Sequence, residues 1–288
     1  MKELFQRSVF GLLYVFLIVS LVYYNLSPIL FIIFGILALY ELGKILHLTP
    51  GEVRFWYLFF VIAFLPWILT VALNSLFDEI PFFSPYISWM HSSGMDHGII
   101  SFLQWRWLWI LMSLVIVFIR FYSKRWSGYL PVAYIILPFV LACEVELSDQ
   151  DFEISPILYI FLSMWVFDTF SYIVGKLIGR RPIIPAISPG KTWEGLFGGL
   201  AGLLALNYAL YSAHLLPFQY VFTGFLLAVV LGVFAFLGDM FESKLKRTAG
   251  LKDSGTVIPG HGGILDRIDS FLFAAPAFYI LYPILLRL

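Results

Sequence analysis

Nine apolar stretches, most of them close to the length of a bilayer-spanning helix, recur along this chain and leave it few ways to fold. They run at about Ser8–Tyr24, Ile29–Leu46, Phe55–Leu76, Phe102–Phe121, Tyr129–Cys143, Ile154–Ile178, Trp193–Leu216, Phe218–Phe241 and Ile268–Leu286. A spanning helix needs roughly 20 mostly apolar residues. The fifth stretch is short and carries Pro138. Hydrophobic residues make up 61% of the 288 and charged residues 12%, with a mean hydropathy of +0.91. Soluble domains are about half apolar and about a quarter charged, and a globule of this length cannot hide such an excess from water. The expected fold class is all-α, a polytopic integral membrane protein with about nine transmembrane helices. A soluble enzyme, a secreted disulfide scaffold and a disordered chain are excluded.

Basic residues collect on the cytoplasmic side of a membrane protein. With the N-terminus cytoplasmic, 16 of the 18 Lys and Arg residues fall inside, and only Arg106 and Arg287 fall outside. The outer loops are acidic instead, with Asp78, Glu79 and Asp96 in one and Glu144, Glu146, Asp149, Asp151 and Glu153 in another. A miscounted helix would scramble this split, so nine spans with N-in and C-out is the expected topology. The first span lacks a small-residue cleavage site and reads as an uncleaved anchor. No linker or repeat interrupts the chain. The expected organisation is an N-terminal transmembrane region (1–150, about five spans) and a C-terminal catalytic region (151–288, about four spans).

Some features read as ordinary membrane architecture. The run Trp105-Arg106-Trp107-Leu108-Trp109 suits an interfacial aromatic belt. His91, Asp96 and His97 match no standard zinc spacing and read as an outer loop. The lone Cys143 cannot form an intrachain disulfide. A net charge of +0 suggests no nucleic-acid partner.

Chemistry concentrates after residue 160, where charged and small residues gather at the inner ends of helices. Ionisable groups at membrane depth are costly and usually mark a substrate or ion site. Asp168 lies inside the sixth span, followed by Ser171, Tyr172, Gly175 and Gly179; the glycines suit close helix packing. A structural carboxylate paired with a base is the alternative for Asp168. Next comes Ile187-Ser-Pro-Gly-Lys191-Thr192-Trp-Glu-Gly195, a loop entering the seventh span. A flexible Gly, hydroxyls, a Lys and a helix N-terminus together suit an anion; a basic loop with a Ser/Thr cap is the alternative. It is not a P-loop, because Pro185 stands where that motif needs Gly and no preceding strand is expected.

The densest cluster follows. Asp239, Ser243 and Lys246 share a helical face at the inner end of the eighth span, and Asp266 and Asp269 share one at the start of the ninth. Three unneutralised carboxylates at one point repel each other. A hard divalent cation resolves that conflict, since Mg²⁺ is typically held by one or two carboxylates plus phosphate oxygens and water. Lys246, Lys252 and Arg267 would then meet phosphates rather than the protein's own acids, and the glycines at 260, 262 and 263 would admit a bulky ligand. His261 suits phosphate or nucleotide binding, with no ground for a general base. Salt bridges alone are the competing reading.

The stretch Ser243-x-Leu-Lys246-Arg247-x4-Lys252-Asp253-x-Gly255-x2-Ile258-Pro259-x-His261-Gly262-Gly263-Ile264-x-Asp266-Arg267-Ile268-Asp269 resembles the signature of phosphatidate cytidylyltransferases, or CDP-diacylglycerol synthases. The blocks around Asp168 and Lys191 are similar to that family too, and the likeness covers roughly the last 120 residues. The compact chain resembles the bacterial form. The resemblance implies a reaction in which CTP and phosphatidic acid give CDP-diacylglycerol and pyrophosphate. It also implies Mg²⁺ dependence, K⁺ as a possible second cation, and a homodimer in the cytoplasmic membrane with its site facing the cytoplasm. On this reading Asp239, Asp266 and Asp269 hold the metal, with Ser243 a neutral ligand. Lys246, Lys252 and Arg267 bind phosphates, and Asp168, Lys191 and Thr192 line the same cavity.

This chemistry suits the charge map. Both substrates are anionic and meet at the inner membrane edge, so cations must bring them together. Positioning and charge stabilisation dominate such transfers. The competing readings are a CTP transferase acting on a prenyl-ether lipid phosphate and, in another class, a cation-coupled transporter. Transporters usually bind near the bilayer midplane at a repeat interface, whereas these acids sit at inner helix ends. The Asp-Gly-x2-Ala-Arg motif of CDP-alcohol phosphotransferases is absent.

Overall fold

In hydrocarbon every backbone N–H and C=O must be satisfied within the protein, which leaves helices as the spanning element for this sequence. The computed structural model describes residues 2–24, 26–79, 130–148, 153–257 and 262–287. Its helices are α1 (Lys2–Tyr23), α2 (Ser27–Ile45), α3 (Pro50–Glu79), α4 (Leu137–Ser148, entered through a π-helical turn Pro131–Ile136), α5 (Pro156–Ile178), α6 (Trp193–Ser212), α7 (Val221–Thr248) and α8 (Leu265–Leu285). These coincide with eight of the nine expected spans. Among the described residues, α2, α5, α6, α7 and α8 are long and apolar enough to cross a membrane. The fourth expected span, the Trp105–Trp109 belt, the loop with His91, Asp96 and His97, and His261 lie outside the described residues.

Local chemistry explains where helices begin. Ser155 Oγ accepts from Leu158 N at 3.3 Å to cap α5, whose first turn carries Pro156. Thr192 Oγ accepts from Gly195 N at 3.2 Å to cap α6. Pro138 brings no N–H to the α4 ladder, and the turn before it widens to the π form. Glu144, expected in an outer acidic loop, lies on α4 and is buried.

Helices from both halves of the chain share one core. Phe31 of α2, Phe139 of α4 and Phe161 of α5 surround Phe271 of α8, with ring centroids 5.5, 5.9 and 4.6 Å from it. All four are fully buried. Rings at such distances add about 0.5–1.5 kcal/mol per pair beyond area burial. The α5–α6 seam uses small residues, as the glycines suggested. A Cβ at Gly199 would run into Ser171 and Phe167, and Gly175 lies against Thr192 and Gly195.

One element departs from the all-helical expectation. Between α5 and α6 a two-stranded antiparallel hairpin forms, β1 (Pro182–Ile184) and β2 (Ser188–Thr192), pairing Pro182 with Thr192 and Ile184 with Ser188. The sequence predicts a plain loop here, with no strand. β2 holds the Gly-Lys-Thr residues themselves in a paired antiparallel strand, so this geometry, as well as Pro185, argues against a P-loop. Glu194 secures the hairpin's base by accepting from the Arg180 and Arg181 amides at 3.1 and 3.2 Å. At its tip, Arg247 Nε of α7 donates to the Ile187 carbonyl at 3.4 Å. Neither strand nor clamp shows in hydropathy, because strands of three and five residues with little apolar alternation carry no periodic signal.

Candidate active site

Two cavities open at one end of the α5–α8 bundle and share Asp168. The first, about 260 Å³, is lined by Asp168, Ser171 and Tyr172 of α5, Gly190, Lys191 and Thr192 of β2, Gly195 of α6, and Phe236 and Asp239 of α7. The second, about 220 Å³, is lined by Gly11, Tyr14 and Val15 of α1, Met164, Trp165 and Asp168 of α5, and Asp266, Arg267, Asp269 and Ser270 of α8. The structure thus brings nine of the expected residues to this end of the bundle: Asp168, Lys191, Thr192, Asp239, Ser243, Lys246, Asp266, Arg267 and Asp269.

The first cavity is built by the hairpin. Its second strand carries Lys191 over α7, where the ammonium forms an ion pair with Asp239 and sits 5.4 Å from the Phe236 ring centroid. Ser243 Oγ, one turn along α7, donates to Asp239 Oδ1 at 3.3 Å. The side chains of Lys191 and Asp239 are 22% and 34% exposed, so the pair can exchange partners with a ligand.

Asp269, in the wall of the second cavity, sits where α7 and α8 approach closely. Gly238 permits this approach: a Cβ there would meet the Asp269 carbonyl. Asp269 is nearly buried, and its Oδ1 accepts from Ser270 N at 2.7 Å. Asp168, Asp239 and Asp269 lie within Coulombic range of one another.

Asp266 is held differently. Lys246 Nζ lies 2.5 Å from its Oδ1, while Gly263 N, Ser254 N and Ser254 Oγ reach its Oδ2 at 2.8, 3.1 and 2.9 Å. The same ammonium lies 2.5 Å from Oε2 of the fully buried Glu242. Lys246, expected to face phosphates, therefore meets two of the protein's own acids. Lys252 is exposed and lines neither cavity. Gly263 also has another reason to be glycine than an incoming ligand. A Cβ there would run into Ser254 and the carboxylate of Glu41, a residue of α2 that the sequence reading passed over. Gly262 takes a left-handed φ of 83°, which favours glycine by itself.

Among the described residues, no three His, Cys, Asp or Glu side chains stand as a ready-made chelate. The donor chemistry nonetheless suits Mg²⁺, which takes one or two carboxylates and completes its shell with phosphate oxygens and water. Asp168, Asp239 and Asp269 repel one another, and the protein offsets this in part, with Lys191 paired to Asp239 and both Lys191 and Arg267 within Coulombic range of Asp168. A divalent cation among them removes that conflict. Asp266 is the least available of the expected ligands, since protein donors occupy both its oxygens.

Comparison with known proteins bears on this site. The model of the cytidylyltransferase family matches residues 5–285. The phosphatidate cytidylyltransferase of Bacillus subtilis (strain 168) is 41% identical over 155 residues, covering 54% of this chain and 57% of that protein. The one from Haemophilus influenzae (strain Rd) is 38% identical over 188 residues, 61% of this chain and 65% of that protein. That of Staphylococcus aureus (strain COL) is 38% identical over 180 residues, 60% of this chain and 67% of that protein. The chain thus spans 57% and 65% of the length of the first two relatives. With the family match running nearly end to end, this chain belongs to the cytidylyltransferase family.

Proposed function

We propose that this protein transfers the cytidylyl group of CTP to phosphatidic acid, giving CDP-diacylglycerol and pyrophosphate. The observation that carries the reading is the meeting of two cavities at Asp168, each lined by acids and one cation: Lys191 in the first, Arg267 in the second. Two anionic substrates that must be brought within bonding distance need such paired, cation-bearing pockets. The similarity to the phosphatidate cytidylyltransferases of Bacillus subtilis and Haemophilus influenzae supports the same substrates.

The chain's residues divide the work. The hairpin presents Lys191 and Thr192 to nucleotide phosphates beside the N-terminus of α6, whose amides suit an anion. Arg267 meets phosphate in the second cavity, between α1, α5 and α8. Asp239 and Asp269 hold Mg²⁺, with Ser243 beside Asp239 and Asp168 between the cavities. Lys246 orients Asp266, which holds the entry to α8. Bound there, Mg²⁺ would supply charge neutralisation at the α-phosphate and at the departing pyrophosphate. An oxygen of the phosphatidate phosphate attacks the α-phosphorus of CTP, and the bond to the bridging oxygen of pyrophosphate breaks. The attacking oxygen is already ionised, so no strong base is called for.

In this reading the protein is a nine-span protein of the cytoplasmic membrane with its N-terminus and site on the cytoplasmic side. The sided distribution of 16 of the 18 basic residues supports that orientation. K⁺ as a second cation and a homodimer follow from the family resemblance. The test is transfer of radiolabelled CTP into lipid by purified protein, with and without phosphatidate and Mg²⁺. Labelled lipid that needs both is the expected result. A folded sample that labels no lipid would overturn the reading, and labelling of a prenyl-ether phosphate instead would redirect it.

A further inference from the structure

The N-terminus of α8 has no capping side chain of its own: Ile264 occupies the cap position and can offer no acceptor. The donors are satisfied from α2, more than 200 residues earlier. Glu41 Oε1 accepts from Ile264 N at 3.0 Å, and its Oε2 accepts from Leu265 N at 2.8 Å and Ser254 Oγ at 3.0 Å. Glu41 is only 1% exposed. Gly255 and Gly263 press against the same carboxylate, since a Cβ on either would collide with it. Ser254 joins Glu41 to Asp266, so one buried acid grips both the loop and the helix start that carry Asp266, Arg267 and Asp269.

We propose that Glu41 is a positioning residue for the transfer reaction: it caps α8 from a distant helix and sets the aim of Asp266 and Asp269. It lines neither cavity, so it acts through α8 and not on substrate. Misplacing reacting groups by about 1 Å costs on the order of 100-fold in rate, and a helix start that loses two charge-assisted bonds is free to shift by that much. This role rests on the cytidylyl-transfer reading above.

The test compares wild-type protein and Glu41→Gln in lipid nanodiscs. Gln can accept from one amide but turns its own NH₂ toward the other. We expect the variant to keep its helical content, to exchange the Ile264 and Leu265 amide hydrogens at least tenfold faster, and to lose at least 30-fold in kcat while KM for CTP stays within threefold. A lower melting point with kcat per folded molecule within threefold of wild type would overturn the positioning role. If Glu41→Gln does not fold, the wild-type protein still decides the cap: Ile264 and Leu265 amides that exchange as fast as that of exposed Lys252 would overturn it. Wild-type protein that makes no CDP-lipid would overturn the functional reading and with it the role in transfer, and slow wild-type exchange at Ile264 and Leu265 would still support the cap.

Discussion

Lys246 Nζ lies 2.5 Å from Asp266 Oδ1, tying the last turns of α7 to the first turn of α8 across the loop between them. The lysine side chain is 11% exposed, and on its other side stands Glu242, wholly buried. Removing the cation therefore strands one carboxylate and loosens another. Lys246→Met should destabilise the fold by about 3–5 kcal/mol, the usual cost of leaving a buried charge unpaired. Unfolding in mixed detergent micelles would measure it, and the double variant Lys246→Met/Glu242→Leu should recover part of the loss.

Asp266→Asn should abolish most turnover, though for a mixed reason. Its four protein donors mean that an amide NH₂ must face at least one of them, so stability should fall by about 1–3 kcal/mol as well. Asp239→Asn separates the two effects. Asp239 is a third exposed and touches Lys191 and Ser243, so the variant should fold normally and lose at least 100-fold in kcat. Turnover within a few-fold of wild type in folded Asp239→Asn would remove Asp239 from the metal set.

Lys191→Ala should weaken nucleotide binding. A hydrogen bond to a charged group is worth about 1.5–3 kcal/mol, so kcat/KM for CTP should fall roughly 10- to 100-fold, mostly through KM. The same substitution should leave KM for phosphatidate little changed, because Lys191 lines only the first cavity. Steady-state kinetics with each substrate varied in turn would separate them.

Gly238→Ala should act without touching any charge. Its Cβ would drive against the Asp269 carbonyl and spread α7 from α8. Overpacking of this kind costs about 1–3 kcal/mol, and activity should fall further than stability because Asp239 and Asp269 move apart.

Chelation of divalent cations should abolish activity, and Mg²⁺ should restore it. Binding should also be visible without turnover, as a rise in melting temperature on adding Mg²⁺. That rise should be smaller in Asp239→Asn. A chelated enzyme that keeps full activity would remove the metal from the proposed chemistry.

The helical, membrane-spanning character of the chain and the crowding of its charged residues were legible in the linear sequence. Hydrocarbon demands long uncharged helices, and Asp239, Lys246, Asp266 and Asp269 crowd into 31 residues that no lipid-facing role explains. What tertiary structure alone decided is who pairs with whom. Hydropathy gives each residue a depth but no neighbour across the bundle. It could not reveal that Lys246 meets Glu242 and Asp266 instead of phosphate, or that the acids divide between two cavities meeting at Asp168. Nor could it reveal the hairpin that delivers Lys191 to Asp239. Glu41 is the clearest case: the lone acid of α2, it finds its partners 213 to 224 residues away, where the packing of α2 against α8 brings its carboxylate to amides that nothing local can satisfy.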